Sequence, residues 1–586
     1  MSDAALSARA RRAGLAREWT DAAGTARQVS DAVLDAVLRA LGRDAEELAD
    51  EEPAQSGARC WSIDDAAPER RLSALAVQLY SLRGSAGIGD LRALKDFALG
   101  AAACGIDAVA VSPLHAPLCA ATGDASPYSP SSRLVLNPLY ADVTLAGSQP
   151  ASDCDEGDLV DWPRAAKQRL ASLRSTFAAF AGSAGFDRFV AERGRRLLDH
   201  ARFEALDAHF RKQDVMRWRH WPAAFRDPRS AAVEEFARAH EDEVRFHLFA
   251  QWLADTSVAE AQRAARESGS ALGLICDIAV GMNPDGSHAW SARGEILNGL
   301  TIGAPPDVFN PQGQNWGLTA LSPAGLMKTG FSGYIETLRA AMRHAGGVRI
   351  DHAMGLNRLW VIPEGGDPKD GVYLQYPLRR LLALLAQESR AHRAIVIGED
   401  LGTVPDGFRR ALRDCGALGM EVLWFQRAYE REGKPFLPAE CWSRAAAALT
   451  TTHDLPTLSG WWCGRDIDWL ERLARKSEHG DVASERWARG EDRSKLWAAI
   501  GNGAPEPTPQ EPQIALAAAL NFIARTACPL AVVPVEDVLG LVEQPNIPGT
   551  IDEHPNWRRR LPRGELFARE DLRRNLESLV QGRRTP

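Results

Sequence analysis

The sequence predicts an α/β protein built on a (β/α)8 TIM barrel, with a large, mostly helical insertion after an early strand and a small helical extension at the N-terminus. Eight short apolar runs alternate with alanine- and leucine-rich helical segments. Apolar runs bounded by turn residues are typical of strands buried on both faces of a parallel sheet. Three of the runs end in a carboxylate, and the C-terminal ends of barrel strands form the active site in this fold.

The first segment, residues 1–65, is predicted to be the helical extension. Apolar side chains recur at helical spacing between Val33 and Leu41. Ser30 is a suitable N-cap residue and Gly42 a suitable end for this helix. The extension carries no chemical motif, so its sequence predicts a structure but no activity.

Residues 66–586 are predicted to form the catalytic barrel. The strand candidates are Ala74–Tyr80, Asp107–Pro113, Leu272–Val280, Gly347–Asp351, Ala394–Glu399, Glu421–Phe425, Ala446–Thr452 and Pro529–Val535. Helical segments that follow them include Leu91–Ala103, Ile335–His344, Leu378–Ser389 and Gln513–Thr526. The same alternation is compatible with a doubly wound open sheet, which is the alternative fold.

Residues 115–270 interrupt the alternation and are predicted to be an inserted subdomain. They begin with a loop rich in proline, serine and tyrosine and continue as arginine- and alanine-rich helical segments. The insertion follows the second strand candidate, and loops after barrel strands lie at the catalytic face. We therefore expect it to wall one side of the cleft.

The composition gives no support for a nucleic-acid or membrane partner, a disulfide framework or a zinc ribbon. A net charge of −8 and a pI of about 6.0 give no electrostatic reason to expect nucleic acid or an anionic membrane. Nine cysteines without a C-x-x-C pair argue against a disulfide framework and a zinc ribbon. No signal peptide is visible, and no apolar run reaches the roughly 18 residues of a membrane span. These features predict a cytoplasmic protein with reduced thiols.

The strand ending at Asp351 carries the first candidate catalytic acid. The two-residue period of a strand places Arg349 and Asp351 on the same face. An arginine beside a carboxylate favours its ionised form, which a nucleophile requires. The alternative interpretation is a buried salt bridge that only positions strands.

Glu399 and Asp400 end a second strand candidate and, being adjacent, point to opposite sides. Glu399 completes the apolar run, so we expect it to face the barrel mouth. Burial near other anions raises the pKa of a glutamate, as a general acid requires. Asp400 is expected to cap a helix or bond within its loop.

His453 and Asp454 follow a third strand and offer hydrogen bonds to sugar hydroxyls; the alternative is a structural histidine and a helix-starting aspartate. Asp277, near the end of the third strand candidate, is a fourth carboxylate for the same rim. Paired carboxylates flanking an acetal are the usual arrangement for glycosidic bond cleavage. These acids and histidines lie on separate strands, with no His-x-x-x-His or Asp-x-Asp spacing among them, so no metal site is predicted.

Two loops are candidates for binding a sugar chain. Prolines and glycines in residues 304–317 exclude a helix and a central strand. This loop carries Phe309, Trp316 and several side-chain amides, which suit the apolar faces and polar edges of pyranose rings. The alternative is a loop pinned by its own aromatic side chains. Residues 126–133, which include Tyr128, form a similar segment.

Taken in order, these motifs resemble the 4-α-glucanotransferases of the amylomaltase type, the disproportionating enzymes of glycoside hydrolase family 77. The resemblance runs from about residue 72 to the C-terminus. The motifs that carry it are Gln78–Arg83, Ser126–Arg133, Gly303–Asp307, Gly313–Gly317, Arg349–His352, Gly398–Pro405, Thr452–Thr457 and Asn546–Thr550.

The resemblance implies a retaining transfer of α-1,4-glucan segments between maltooligosaccharides, with no cofactor and no metal. It implies that Asp351 is the nucleophile, Glu399 the general acid/base, and Asp454 the acid that stabilises the transition state. The substrate-binding residues that it implies are Arg349, His352, His453, Trp316, Asp277, Tyr128 and Asn546. An α-glucan hydrolase on the same barrel and a glycan-binding protein without catalysis are the alternatives.

Overall fold

The computed structural model describes residues 3–21, 24–42, 57–118, 125–150, 157–306, 312–475 and 479–584. Eight parallel strands form its central sheet, and we number them β1 to β8 in chain order. Their bounds are β1 Leu72–Val77, β2 Ala108–Val111, β3 Gly273–Ile278, β4 Gly347–Ile350, β5 Ile395–Gly398, β6 Gly419–Val422, β7 Ala446–Leu449 and β8 Leu530–Pro534.

The central sheet closes on itself. Strands β1 to β5 and strands β6 to β8 each pair with their neighbours in the chain, and β8 pairs with β1. Between β5 and β6, Ile397 and Leu418 form a parallel bridge, and the N–H of Gly398 donates to the carbonyl oxygen of Leu418 at 2.7 Å. The predicted TIM barrel is therefore confirmed, all eight strand candidates overlap observed strands, and the open doubly wound sheet is wrong.

The barrel strands form because both of their faces are buried. Every residue of β3, β5, β7 and β8 is buried, which explains why these runs, apart from Asp277 in β3, are apolar rather than alternating. Outer helices include Leu91–Ala103, Ser332–Met342, Leu378–His392, Phe408–Cys415, Pro512–Arg525 and Glu570–Arg584. The four predicted helices each overlap one of these.

The chain between β2 and β3 is mostly helical, as predicted. Its helices are Trp162–Ala178, Ala184–Arg211, Ala231–Ala239 and Glu241–Glu267. They enclose a separate apolar cluster in which Phe203, Trp221 and Phe249 are fully buried. Among the described helices of the chain, none combines the length and apolar character that a membrane span needs.

A second, antiparallel sheet lies beside the barrel, and we call it the rim sheet. Its strands, in spatial order, are Leu15–Ala16, Val372–Gln375, Arg358–Pro363, Leu300–Ala304 and Gln314–Leu318. The last four come from the loops after β3 and β4, whereas the first comes from the N-terminal extension. The rim sheet thus joins the extension to loops of the catalytic face.

The extension contains helices Asp3–Arg12 and Asp31–Leu41 and a small hairpin of Glu18–Thr20 with Ala26–Gln28. The predicted helix start is confirmed, because Ser30 Oγ accepts a hydrogen bond from the Val33 N–H at 3.3 Å. Leu34, Val37 and Leu38 are fully buried, and burying one such side chain stabilises a fold by about 1.5–3 kcal/mol. The strand Leu15–Ala16 was not predicted, because its partner Val372–Gln375 lies far away in the chain.

Candidate active site

The register of three neighbouring strands brings the acids of β3, β4 and β5 together. Asp277 pairs with Arg349 across β3 and β4, and Ile350 pairs with Gly398 across β4 and β5. Asp351 directly follows β4 and Glu399 directly follows β5. The two acids therefore occupy neighbouring positions around the barrel mouth. Parallel pairing carries this alignment, since side chains at equal register point to the same side.

Arg349 is the central cation of the site. Its Nη1 donates to both carboxylate oxygens of Asp277 at 2.8 and 2.9 Å and to Oδ1 of Asp351 at 3.1 Å. The predicted contact between Arg349 and Asp351 is thus confirmed. Burial works against the charge on Arg349, but Asp277 and Asp351 together raise its pKa well above the usual value. The guanidinium therefore stays charged and holds both aspartates in place.

Asp351 is more weakly acidic than an ordinary aspartate. Burial raises its pKa, and the negative charges of Asp277 and Glu399 raise it further, whereas Arg349 acts in the opposite direction. Arg349 lowers the pKa of Asp351, as expected, although burial and the two carboxylates make the net shift upward. About one fifth of the side chain remains exposed, so a ligand can reach it.

Glu399 is held by two backbone N–H groups. His352 donates to Oε2 at 2.9 Å and Leu401 donates to Oε1 at 2.7 Å. Burial raises the pKa of Glu399, while Arg349 and these two donors oppose the shift. His352 reaches this position with a φ of 46°, in the left-handed region, which non-glycine residues rarely occupy and which turns its N–H towards the carboxylate.

Asp400, the neighbour of Glu399, points away from the barrel mouth. Its Oδ1 accepts from the Met420 N–H and its Oδ2 from Arg409 Nε, both at 2.8 Å. The prediction that Asp400 caps a helix or bonds within its loop is wrong, because its side chain bonds to strand β6 and to helix Phe408–Cys415. The alternation of a strand thus separates two adjacent acids into different surroundings.

Asp454 lies on the opposite side of the mouth, after β7. Asn546 Nδ2 donates to Asp454 Oδ1 at 2.6 Å, and His453 Nε2 lies 3.5 Å from Asp454 Oδ2. The Asn546 N–H also donates to the carbonyl oxygen of His453 at 3.1 Å. These bonds join the loop after β8 to the loop after β7. The Asp454 side chain is 45% exposed, the most open of the three acids.

Tyr128 connects the two sides of the mouth. Its hydroxyl donates to Asp277 Oδ2 at 2.7 Å and lies 3.3 Å from His453 Nδ1. Its ring stacks on His453 with the centroids 4.8 Å apart. Trp557 completes an aromatic group, with centroids 5.5 Å from Tyr128 and 5.3 Å from His453. Such a group offers a flat, partly apolar wall to a sugar ring.

Trp316 stands beside the nucleophile candidate. Its ring lies edge-to-face with that of His352, with the centroids 5.1 Å apart. The side chain is half-buried, and its Nε1 donates to Gln314 Oε1 at 3.2 Å. Phe309 and Asn310, also predicted for this loop, lie outside the described residues.

The ten residues predicted for the site therefore meet at the C-terminal end of the barrel. Arg349 joins Asp351 to Asp277, Tyr128 joins Asp277 to His453, and Asp454 with Asn546 continues the chain of contacts. A second set of contacts starts at His352, the residue after Asp351. Its N–H bonds to Glu399 and its ring contacts Trp316. Within the described residues, no group of three or more histidine, cysteine, aspartate and glutamate side chains is arranged to hold a metal ion.

Sequence reasoning missed Trp557 and the polar floor of the site. Gln78 and Glu536 line the same cavity as Asp277, Arg349 and Tyr128. Glu536 is buried, and burial raises its pKa to about 7. It follows an apolar run at the end of β8, so the pattern that identified Glu399 applied to it as well. Trp557 had only the weaker indication of an aromatic residue in a loop after the last strand.

Comparisons with known proteins agree with one another. A family model described as 4-alpha-glucanotransferase matches residues 77–566. The 4-alpha-glucanotransferase of Mycobacterium tuberculosis strain H37Rv is 36% identical over 549 residues, which are 87% of this chain and 74% of the relative. That of Haemophilus influenzae is 32% identical over 552 residues, which are 86% of this chain and 78% of the relative.

Two solved structures are similar to this one. Amylomaltase from Corynebacterium glutamicum superposes with a TM-score of 0.86 at 25% identity, covering 98% of this chain and 99% of the other. Amylomaltase from Streptococcus agalactiae, in complex with acarbose, superposes with a TM-score of 0.72 at 19% identity. The match covers 87% of this chain and 98% of the other. The second likeness concerns the fold alone.

Proposed function

The chain belongs to the 4-α-glucanotransferase family, whose members act on α-glucans, and from that premise we propose how its residues carry out the transfer. The proposed reaction is a retaining exchange of α-1,4-glucan segments, with Asp351, Glu399 and Asp454 as the catalytic acids. The observation that carries it is the alignment of Asp351 and Glu399 at the mouth of one barrel, with Arg349 bonded to the first. Substrates are proposed to be maltooligosaccharides and longer α-1,4-glucans.

In the first step, a carboxylate oxygen of Asp351 attacks the anomeric carbon of the donor sugar. The bond between that carbon and the glycosidic oxygen breaks, and Glu399 gives its proton to the departing oxygen. Arg349 holds Oδ1 of Asp351, which leaves Oδ2 to form the ester bond. The reducing-end fragment of the donor, with a new 4-hydroxyl at its non-reducing end, then leaves.

In the second step, Glu399 takes the proton from the 4-hydroxyl of an acceptor sugar. The acceptor oxygen attacks the anomeric carbon, the ester bond to Asp351 breaks, and the original configuration is restored. Asp454, the most open of the acids, is proposed to bind ring hydroxyls and to stabilise the positive charge that develops on the sugar ring. Asn546 orients it through the bond to Oδ1.

The raised pKa values of Asp351 and Glu399 suit this cycle. Three carboxylates share one arginine, so the pocket favours keeping a proton on one of them. The reaction needs that proton on Glu399 and the charge on Asp351. Asp351 is the acid bonded directly to Arg349, which supports this division of roles.

Water competes with the sugar acceptor, and closure of the pocket decides between them. We propose that Trp316 covers the bound donor ring, while Tyr128, His453 and Trp557 form the opposite wall. The insertion of residues 115–270 contributes Tyr128 and is proposed to form one side of the cleft. Excluding water in this way favours transfer over hydrolysis.

The cytoplasm is the proposed location. The seven cysteines in the described part of the chain are free thiols, which suits a reducing compartment. Cys119 and Cys154 lie outside the described residues.

The proposal is tested by the Asp351→Asn variant with maltotriose as substrate. Asparagine keeps the shape but cannot form the glycosyl ester, so we expect glucose release to fall by at least about 10³-fold with an unchanged melting temperature. Chromatography of the wild-type products should show oligomers longer than maltotriose together with glucose. Substantial turnover by the variant would disprove the nucleophile assignment.

The same chromatogram separates transfer from hydrolysis. A hydrolase would convert maltotriose into maltose and glucose without longer oligomers. A glycan-binding protein without catalysis would leave maltotriose intact.

A further inference from the structure

The N-terminal extension holds one face of the rim sheet. Its helix Asp31–Leu41 packs on that face, and Leu34, Val37 and Leu38 are fully buried there. The sheet residues in the same apolar cluster are Leu300, Ile302, Leu318, Leu359, Val361, Val372 and Leu374. Side chains alternate along a strand, so this cluster uses one face of the sheet only.

The extension also contacts the opposite face and one edge. The Trp19 ring lies edge-to-face with Trp360, with centroids 5.1 Å apart, and is 6.3 Å from Tyr373. At the edge, Leu15–Ala16 pairs with the strand Val372–Gln375. The extension thus holds the rim sheet from three sides.

The far edge of the rim sheet carries Trp316. The strand Gln314–Leu318 pairs with Leu300–Ala304, and its register breaks between Asn315 and Leu318. Gly317 lies inside this bulge with a φ of 66°, a conformation that glycine adopts without strain. Bulges redirect side chains, and here the bulge contains Trp316.

Trp316 links the two regions of the molecule. It packs on the cluster that contains helix Asp31–Leu41, and its ring meets His352, the residue after Asp351. A displacement of the helix therefore reaches the pocket through the rim sheet, the Trp316 ring and His352. Packed interiors transmit such displacements because they contain few voids.

We propose that the N-terminal extension is a positioning element of the active site, which fixes the rim sheet so that Trp316 stays against His352 and over the bound donor ring. The inference rests on the proposed function, because it assigns Trp316 to cover that ring. Loosening the extension frees Trp316 and admits water, whereas Asp351 and Glu399 keep their positions. The enzyme then binds substrate more weakly and transfers a larger share of the glucan to water.

The test compares Leu38→Ala with Leu576→Ala, a matched control. Both leucines are fully buried, and Leu576 lies on helix Glu570–Arg584, which packs on helix Pro512–Arg525. Maltotriose kinetics are measured well below both melting temperatures. We expect Leu38→Ala to raise KM by about 3- to 10-fold and to increase the hydrolysed share of product severalfold, with a smaller change in kcat. Leu576→Ala should lower the melting temperature alone.

Hydrogen–deuterium exchange gives a readout that does not depend on activity. Amides of residues 312–322 should exchange faster in Leu38→Ala than in the wild type, and at the wild-type rate in Leu576→Ala. If Leu38→Ala does not fold, Val37→Ala replaces it as a milder loss from the same face.

Equal KM, product ratio and exchange in Leu38→Ala and wild type would overturn the proposal, and so would equal changes in both variants. If the wild type makes no oligomers longer than maltotriose, the proposed function fails. The exchange rates then still decide whether the extension positions Trp316.

Discussion

Strands β5 and β8 are each followed closely by a glutamate and an aspartate, Glu399-Asp400 and Glu536-Asp537, yet the two acid pairs have different surroundings. Glu399 accepts two backbone N–H groups and lies near Arg349. Among the described residues, no arginine or lysine pairs with Glu536, which faces the floor of the same cavity. In both pairs the aspartate bonds to structural groups.

The comparison shows that a nearby cation, rather than burial, distinguishes the two glutamates. Burial raises the pKa of both. Glu399 has a nearby cation and two backbone donors from other residues that stabilise its ionised form, so it can exist in both protonation states during a reaction. For Glu536, burial and the nearby Asp537 raise the pKa, and its own backbone N–H lowers it.

Removing the acid function of Glu399 should have the largest effect. We expect Glu399→Gln to lower kcat on maltotriose by about 10²–10⁴-fold, because glutamine can neither give nor take the proton. Glu536→Gln is the control from the second pair and should change kcat by less than about threefold. Comparable losses in both variants would show that the two glutamates do not differ as argued.

The aspartate of the β8 pair should matter for stability rather than for turnover. Asp537 accepts the Thr450 hydroxyl at 2.5 Å and the Leu458 N–H at 2.7 Å, and all of these groups are buried. Asp537→Ala leaves two buried donors unpaired, at about 1–3 kcal/mol each. Denaturant unfolding should show a loss of about 4 kcal/mol, with the kcat of the remaining folded enzyme retained. A loss below about 1 kcal/mol would contradict this assignment.

The third prediction concerns the pH dependence of stability. The pKa of Glu536 is about 7 in the folded protein and about 4.3 in an unfolded chain. The folded state therefore binds this proton more tightly, and its stabilising contribution is complete below the unfolded pKa. It is lost as the pH rises towards 7, by on the order of 3 kcal/mol.

Glu536→Gln should remove that part of the pH dependence. The measurement is the denaturation midpoint at pH 5 and pH 8 for the wild type and the variant. The wild type should lose more stability than the variant over this range. Parallel curves for the two proteins would place the titrating group elsewhere.

Much of the barrel was predictable because its determinants are local. Strands in the wall of a barrel are mostly apolar, so β3, β4 and β5 were visible without a partner, although β3 contains Asp277 and β4 contains Arg349. The acids at their ends were equally visible, because burying a charged side chain without a partner costs free energy and so indicates a site. The cap at Ser30 followed from the hydrogen-bond needs of a helix start.

The rim sheet was not predictable in the same way. Its first strand has only two residues, and its partner lies more than 350 positions later in the chain. Neither segment has a period that reveals the other. Trp19 and Trp360 are likewise unremarkable in the sequence and meet only in the fold.

Periodicity and burial act over a few residues, so the order of strands and helices, the acids at strand ends and the pairing of Arg349 with Asp351 were predictable from the sequence. The fold adds Asp277 to that arginine and brings part of the extension onto the sheet that carries Trp316. These added contacts join residues 72 or more positions apart, and they exist only once the barrel has closed and set the distances between its loops.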